Sequence, residues 1–192
     1  MKNNQETEAL LSPLLRDIRL KKVASYVENG NTVLDLASGY GYLRKYLPSD
    51  CKYHGVDYFN GNESSYFDSF LPLDLTKEQS FELIYQNFEN KIDIITVVAF
   101  LEHIENHDLF FEKYSSILSK GGKIIGTTPH PNGRSIHDLL SKIGFCSRTG
   151  AEEHKEFLNR NKLEYSIQKS NGMLIDFNYF LFGLNQVFVI QY

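Results

Sequence analysis

The sequence predicts an α/β fold with a mainly parallel sheet and helices on both faces. Short apolar runs of strand length recur at Val33–Ala37, Tyr53–Val56, Leu71–Leu75, Ile92–Ala99 and Lys123–Thr128. Segments with apolar residues at helical spacing, Tyr42–Leu47, Lys77–Asn87 and His107–Leu118, stand between several of these runs. The first run also breaks into Ser38-Gly39-Tyr40-Gly41, a glycine turn leading from a strand into a helical pattern. Short buried strands alternating with helices favour parallel pairing through right-handed crossovers.

Taken in order, the elements begin with an N-terminal helical segment at about 5–29. Leu10, Leu11, Leu14, Leu15, Ile18, Leu20, Val23, Ala24 and Val27 suit one or two amphipathic helices there, with Pro13 starting or kinking one of them. The first strand follows the Gly30-Asn31 turn signal, and the helical pattern after its glycine turn stops at Pro48. Between Asp57 and Phe70 the chain is aromatic and polar and takes no assignment. A loop with a helix around Ile136–Ile143, inside a segment of about 130–150 that interrupts the pattern, precedes a second helix at Glu152–Asn161. The last part holds Leu163–Gln168, Met173–Phe182 and Gln186–Tyr192. Gly183 and Asn185 favour a turn between the last two runs, giving an antiparallel pair that closes the sheet. Met173–Phe182 also reads as an aromatic loop.

A length of 192 residues suits a single domain with a real core, and 42% hydrophobic with 23% charged residues is ordinary for a globular protein. The formal charge of −4 argues against a nucleic-acid partner, which calls for a basic face. Cys51 and Cys146 match no metal spacing and are expected as thiols of a reducing compartment. With no leader-like apolar run and no bilayer-length segment, a cytoplasmic protein without membrane contact is expected.

Open α/β sheets bind ligands at the carboxyl ends of their strands, so the residues at those ends matter most. After the first run come Ser38 to Gly41, after the second Asp57, after the third Asp74, and after the fourth Ala99-Phe100-Leu101-Glu102-His103. Asp57 stands about 20 residues beyond the glycine turn, where a carboxylate can accept from two ribose hydroxyls. An aspartate after a strand is also a common turn residue. A dinucleotide site would need a third glycine three residues after Gly41, but that place holds Arg44. No P-loop pattern is present either, so a pyrophosphate-bearing ligand loses ground.

In these residues the chain resembles the class I S-adenosylmethionine-dependent methyltransferases. Val33 to Gly41 is similar to the family's glycine-rich first motif, and Gly55-Val56-Asp57 to its ribose-binding acidic motif. Leu73-Asp74-Leu75 looks like the adenine-side segment. Ile92 to Ile104, with Leu101-Glu102-His103, resembles the fourth-strand motif of the small-molecule branch. Leu118 to Ile125 looks like the turn into the fifth strand, so the likeness covers about residues 30 to 130. It implies a Rossmann-like methyltransferase fold, a mostly parallel seven-stranded sheet with an antiparallel C-terminal strand, and S-adenosylmethionine as cofactor. By the same resemblance, Asp35 and Ala37, Ser38, Gly39, Tyr40 and Gly41 surround the cofactor's amino acid end. Asp57 binds its ribose, Tyr58 flanks the adenine, Asp74 and Leu75 meet the adenine edge, and Ala99 and Phe100 lie beneath the sulfonium. Ala37-Ser38 departs from the Gly-Cys often found there; both residues are small enough for the turn.

Methyl transfer from a sulfonium is an in-line displacement in which the protein aligns the acceptor and accepts its proton. His103 is the candidate base, because it follows the fourth strand and imidazole titrates near neutrality. The alternative reading, favoured over the first, is that Glu102-His103 orders the loop or caps the helix beginning near Asn106. His130, after the fifth strand in Thr128-Pro129-His130-Pro131, is a candidate to reach the acceptor, or the exposed ring of a rigid proline turn. No metal is expected. Phe177, Tyr179, Phe180 and Phe182 are candidate walls of an apolar acceptor pocket, or core. Arg134 and His137 are candidate contacts for an anionic acceptor, or solvated loop residues. The resulting expectation is methyl transfer to a small-molecule or sugar-like acceptor by a monomer or homodimer. A protein methyltransferase, or a non-catalytic module that binds the cofactor or a partner, stays open as an alternative. An NAD-dependent oxidoreductase is disfavoured by Arg44.

Overall fold

The computed structural model describes residues 12–58, 65–130 and 158–192. A first helix, α1 (Ser12–Ala24), precedes β1 (Thr32–Leu36), a 3₁₀ turn (Tyr42–Lys45), β2 (Lys52–Asp57), β3 (Ser69–Pro72) and α2 (Glu78–Phe88). Then follow β4 (Ile92–Val98), a second 3₁₀ turn (Leu101–His103), α3 (His107–Ser115), β5 (Leu118–Pro129), α4 (Arg160–Lys169), β6 (Met173–Phe180) and β7 (Asn185–Gln191). Pro13 sits in the first turn of α1, where its missing N–H costs nothing. Asn106 and Asn159 start α3 and α4 by accepting from Leu109 N and Lys162 N, each at 3.0 Å.

The seven strands form one sheet in the order β3-β2-β1-β4-β5-β7-β6. β1, β2, β3, β4 and β5 pair in parallel, and β7 runs antiparallel to both β5 and β6. The chain turns from one side of β1 to the other between β3 and β4, which opens a crevice at the carboxyl ends of β1 and β4. Alternate residues of each strand feed two cores. Leu34, Leu36, Ile95, Ile124 and Phe188 pack with Ile84 of α2, Phe111 of α3 and Leu163 of α4. Val33, Tyr53, Ile94, Ile125 and Val189 pack with Leu20 and Val23 of α1. Each such fully buried side chain contributes roughly 1.5–3 kcal/mol.

Several elements differ from the sequence expectation. Tyr42–Leu47 was expected to continue as a helix, but only a four-residue 3₁₀ turn forms before Pro48 ends it. The third strand starts at Ser69 and stops at Pro72, so Asp74 and Leu75 lie in the loop beyond its end. Leu163–Gln168 is helical, because Leu163, Ser166 and Ile167 make one buried face of α4. The expected helix Glu152–Asn161 is corrected at its end, where α4 begins at Arg160; residues 152–157 lie outside the described residues. Met173–Phe180 is a strand rather than a loop. The expected helix at Ile136–Ile143, with Arg134 and His137, also lies outside the described residues. Among the described residues no helix is long and apolar enough to cross a membrane.

Candidate functional site

At the end of β1 the backbone turns through Ala37, Gly39 and Gly41, with φ of 59°, 55° and 79°. Gly41 N–H donates to Ser38 O at 3.0 Å, and Ser38 N–H donates to Val56 O at 3.2 Å. These bonds hold the turn against the end of β2. The Asp57 carboxylate tightens the joint by accepting from Gly39 N at 2.9 Å and from Tyr58 N at 2.7 Å. A carboxylate has about four acceptor positions, so capacity remains for hydroxyl donors. Among the described residues nothing but its chain neighbours lies within 4 Å of where a Cβ on Gly39 would stand, so they leave the space over the turn open. Tyr40, next to Gly39 in the chain, and Tyr58, next to Asp57, have 60% and 78% of their surface exposed.

Below the turn the packing is close. A Cβ on Gly41 would stand 2.7 Å from Phe67 Cζ, and one on Gly55 would stand 2.3 Å from Phe67 Cε1. The Phe67 ring therefore fills the notch left by both glycines, stacked on Tyr53 at 5.1 Å between centroids. Tyr53 Oη donates to Asp35 Oδ2 at 2.6 Å, and Thr96 Oγ1 donates to Asp35 Oδ1 at 2.7 Å. Asp35, 3% exposed, thus joins β2, β1 and β4 beneath the turn. Burial pushes its carboxyl up to about 6, and Asp57 adds to the rise while the Thr96 and Tyr53 hydroxyls oppose it. Arg44, at the place of the absent third glycine, donates to Cys51 O and Ser49 O at 2.6 and 3.3 Å, fixing the loop into β2.

The adenine-side candidates lie one strand further out. Asp74 Oδ1 accepts from Thr76 N at 3.0 Å and from Thr76 Oγ1 at 2.6 Å, an Asx turn leading into α2. Those two donors hold the Asp74 carboxyl below its ordinary range. Leu75 is half-buried beside it. Asp57 and Tyr58 stand at the end of β2, and Asp74 and Leu75 lie in the loop beyond the neighbouring β3.

At the end of β4, Ala99 takes a left-handed φ of 52° and its N–H donates to Thr127 O at 2.9 Å. Phe100 is half-buried, and its ring lies 6.3 Å from that of His103. The 3₁₀ turn that follows sends Glu102 and His103 to different sides, as neighbouring residues of such a turn must be. His103 lines a cavity of about 320 Å³ between α2 and α3, together with Leu75, Phe81 and Tyr114. Glu102 is 3% exposed, and its Oε2 has no hydrogen-bond partner among the described residues. Burial pushes its carboxyl up to about 7, against the pull of its own backbone N–H and of Arg19 on α1. Arg19 Nε donates to Asn185 Oδ1 at 2.8 Å, across 166 residues of sequence. Sequence reasoning put Glu102 in the fourth-strand motif and Asn185 in a turn without their tertiary contacts, left Phe67 unassigned and missed Arg19. Their partners are too distant in the chain for any local signal.

His130 packs edge-on against Tyr179 at 5.3 Å, and Tyr179 against Phe177 at the same distance, in an aromatic row along β6. Phe182 is wholly exposed on the β6–β7 turn. Among the described residues no group of three or more His, Cys, Asp or Glu is placed to hold a metal ion.

The donor set suits S-adenosylmethionine. It offers open backbone for an amino acid end, a carboxylate beside it for a ribose, and an exposed aromatic ring next to that carboxylate. It suits a pyrophosphate less well, since the four-residue 3₁₀ turn after the glycines is too short for a helix dipole.

Comparison with known proteins agrees. Residues 8–171 match the family described as "Methyltransferase domain". Pavine N-methyltransferase of Thalictrum flavum subsp. glaucum is 29% identical over 101 residues, covering 50% of this chain and 28% of that enzyme. The likeness therefore spans under a third of that curated relative's length. A SAM-dependent methyltransferase from Archaeoglobus fulgidus superposes with a TM-score of 0.68 at 14% identity, over 94% of this chain and 95% of that one. An S-adenosylmethionine-dependent methyltransferase from Mesorhizobium loti gives 0.61 at 13% identity, over 95% and 97%. At such identities these two structures speak for the fold.

Proposed function

Since this chain belongs to the methyltransferase-domain family, whose match spans residues 8–171, we propose that it transfers a methyl group from S-adenosylmethionine to a small-molecule or sugar-like acceptor. The observation that carries this reading is the Asp57–Gly39 hydrogen bond, which makes the end of β2 and the open glycine turn one cradle beside the β1/β4 crevice. The small-molecule acceptor is supported by the Leu101-Glu102-His103 segment and by the likeness to an N-methyltransferase.

When bound, the cofactor supplies the methyl group as an electrophile on a sulfonium. The chain's part is to bind, orient and handle the proton. In this reading the backbone from Ala37 through Ser38, Gly39, Tyr40 and Gly41 receives the amino acid end. Asp57 accepts from the ribose hydroxyls with its remaining lone pairs, and Tyr58 covers the adenine. Asp74 and Leu75 border the adenine edge, while Ala99 and Phe100 form the floor under the reacting centre. Asp35, held by Tyr53 and Thr96, acts from below by fixing the turn. The proton of a hydroxyl or amine acceptor falls to the turn after β4, where Glu102 and His103 are the adjacent candidates. Sequestering the reacting atoms from water strengthens every such interaction.

Incubating the protein with methyl-tritiated S-adenosylmethionine and a cell extract split into metabolite and protein fractions tests the acceptor class. Label is expected in the metabolite fraction. Label confined to a protein band would overturn the small-molecule assignment in favour of a protein acceptor.

A further inference from the structure

The turn after β4 carries two ionisable neighbours, and the fold separates them. His103 stands on the wall of the α2–α3 cavity, with Leu75 and Phe81. Glu102 is not among the walls of that cavity; it is buried, and the charge of Arg19 on α1 acts on it. The same helix borders the glycine turn: the Arg16 guanidinium lies 4.2 Å from the centre of the Tyr42 ring. One turn further along α1, Arg19 reaches Asn185 at the start of β7. Glu102 therefore stands just beyond the carboxyl end of the central strand β4, within electrostatic reach of the helix that also flanks the cofactor cradle. Its Oε2 is buried and has no donor among the described residues. Proteins rarely leave such an atom unmatched, because burying an unpaired carboxylate oxygen is costly. A ligand that brings an O–H or N–H removes the mismatch.

We propose that Glu102 faces the methyl acceptor and takes its proton, with Arg19 and Asn185 as positioning residues; this rests on the methyltransferase reading. The acceptor's O–H or N–H bond breaks and its proton passes to Glu102 Oε2. The acceptor's electron pair forms the new bond to the methyl carbon. The C–S bonding pair remains on sulfur, leaving a neutral thioether and a neutral carboxylic acid. The acceptor class is accordingly one with a donor hydrogen on its nucleophilic atom, an alcohol, phenol or amine. Among the described residues the charged group acting on Glu102 is Arg19, from α1. A carboxyl raised to about 7 is part-protonated in the resting protein and fit to receive a proton at neutral pH.

The test needs no known acceptor. S-adenosylmethionine carries a sulfonium cation that S-adenosylhomocysteine lacks, and a nearby cation drives a part-protonated carboxyl to ionise. Titration calorimetry at neutral pH in two buffers of different ionisation enthalpy counts the protons released on binding each ligand. The wild type is expected to release a fraction of a proton more with S-adenosylmethionine than with S-adenosylhomocysteine. Glu102→Gln is expected to abolish that difference while binding S-adenosylhomocysteine normally. With methyl-tritiated cofactor and a panel of phenols, polyols and primary amines, Glu102→Gln is expected to lower transfer by roughly 10²–10⁴-fold. Equal proton release in both proteins, or undiminished transfer by the variant, overturns the assignment. If neither sulfur ligand binds the wild type, the methyltransferase reading fails first and takes this proposal with it. If no panel compound is methylated, the proton count alone decides.

Discussion

Replacing Gly55 by alanine attacks the joint between β2 and the glycine turn without touching a proposed cofactor contact. The new Cβ would stand 2.3 Å from Phe67 Cε1, 2.7 Å from Cδ1 and 2.8 Å from Cζ, where ordinary contact starts at 3.4 Å. The ring must therefore retreat by about 1 Å in a close-packed interior. It is stacked on Tyr53, which donates to Asp35, and lies 5.1 Å from the Phe70 ring. Overpacking of this kind costs about 1–3 kcal/mol. In a chain of this size each kcal/mol lowers Tm by about 2–4 °C. Moving Phe67 also loosens Gly41, which uses the same ring as its floor, so affinity for S-adenosylhomocysteine should fall together with Tm. Thermal melts and calorimetry on Gly55→Ala, Phe67→Ala and the double variant check this. Phe67→Ala removes the clash, so the double variant should be more stable than the two single losses added together, by about 1 kcal/mol or more. A Gly55→Ala melt indistinguishable from wild type, or strictly additive losses, would refute the wedge.

Further outcomes follow from the same geometry. Asp57→Ala removes the acceptor for Gly39 N and for the proposed ribose hydroxyls; a charged hydrogen bond is worth about 1.5–3 kcal/mol, so S-adenosylhomocysteine affinity should fall by roughly 10–100-fold in calorimetry. Stability should fall as pH rises: Asp35 goes from 3.8 to about 6 and Glu102 from 4.5 to about 7 on folding. A raised carboxyl stabilises fully below its unfolded pKa, and that stability is lost as pH passes through the folded value. Each group then forfeits about 3 kcal/mol. Melts of the wild type should show the decline, and Asp35→Asn should flatten its lower half; a Tm that rises across that range would contradict both shifts. Ala37→Gly should raise Tm, because a left-handed φ of 59° costs alanine about 1–2 kcal/mol, against about 0.4–1 kcal/mol of added unfolded-chain freedom for glycine.

The parallel strands were legible because buried runs such as Val33–Ala37 and Ile92–Ala99 are short, apolar and bounded by turn residues. The cradle was legible for a related reason: Gly39, Gly41 and Asp57 sit at strand ends, and local sequence sets both the turn and the spacing. The helix after Gly41 was not legible. Leu43 and Leu47 are buried at helical spacing, yet Pro48 leaves room for only one 3₁₀ turn. The start of α4 was not legible: the expected helix ended at Asn161, whereas the Asn159 cap begins a helix at Arg160 that runs through Leu163–Gln168. The supporting network escaped altogether. Arg19 with Asn185, Asp35 with Thr96, and Phe67 with two glycines are contacts set by strand order, which periodicity does not encode.

The central claim is that the Gly39–Asp57 cradle holds S-adenosylmethionine, and titration calorimetry of the purified protein tests it most directly. The expected result is one molecule of S-adenosylmethionine or S-adenosylhomocysteine bound per chain, weakened by Asp57→Ala, with no heat from NAD. Binding of NAD without either sulfur ligand, or binding indifferent to Asp57, would contradict it.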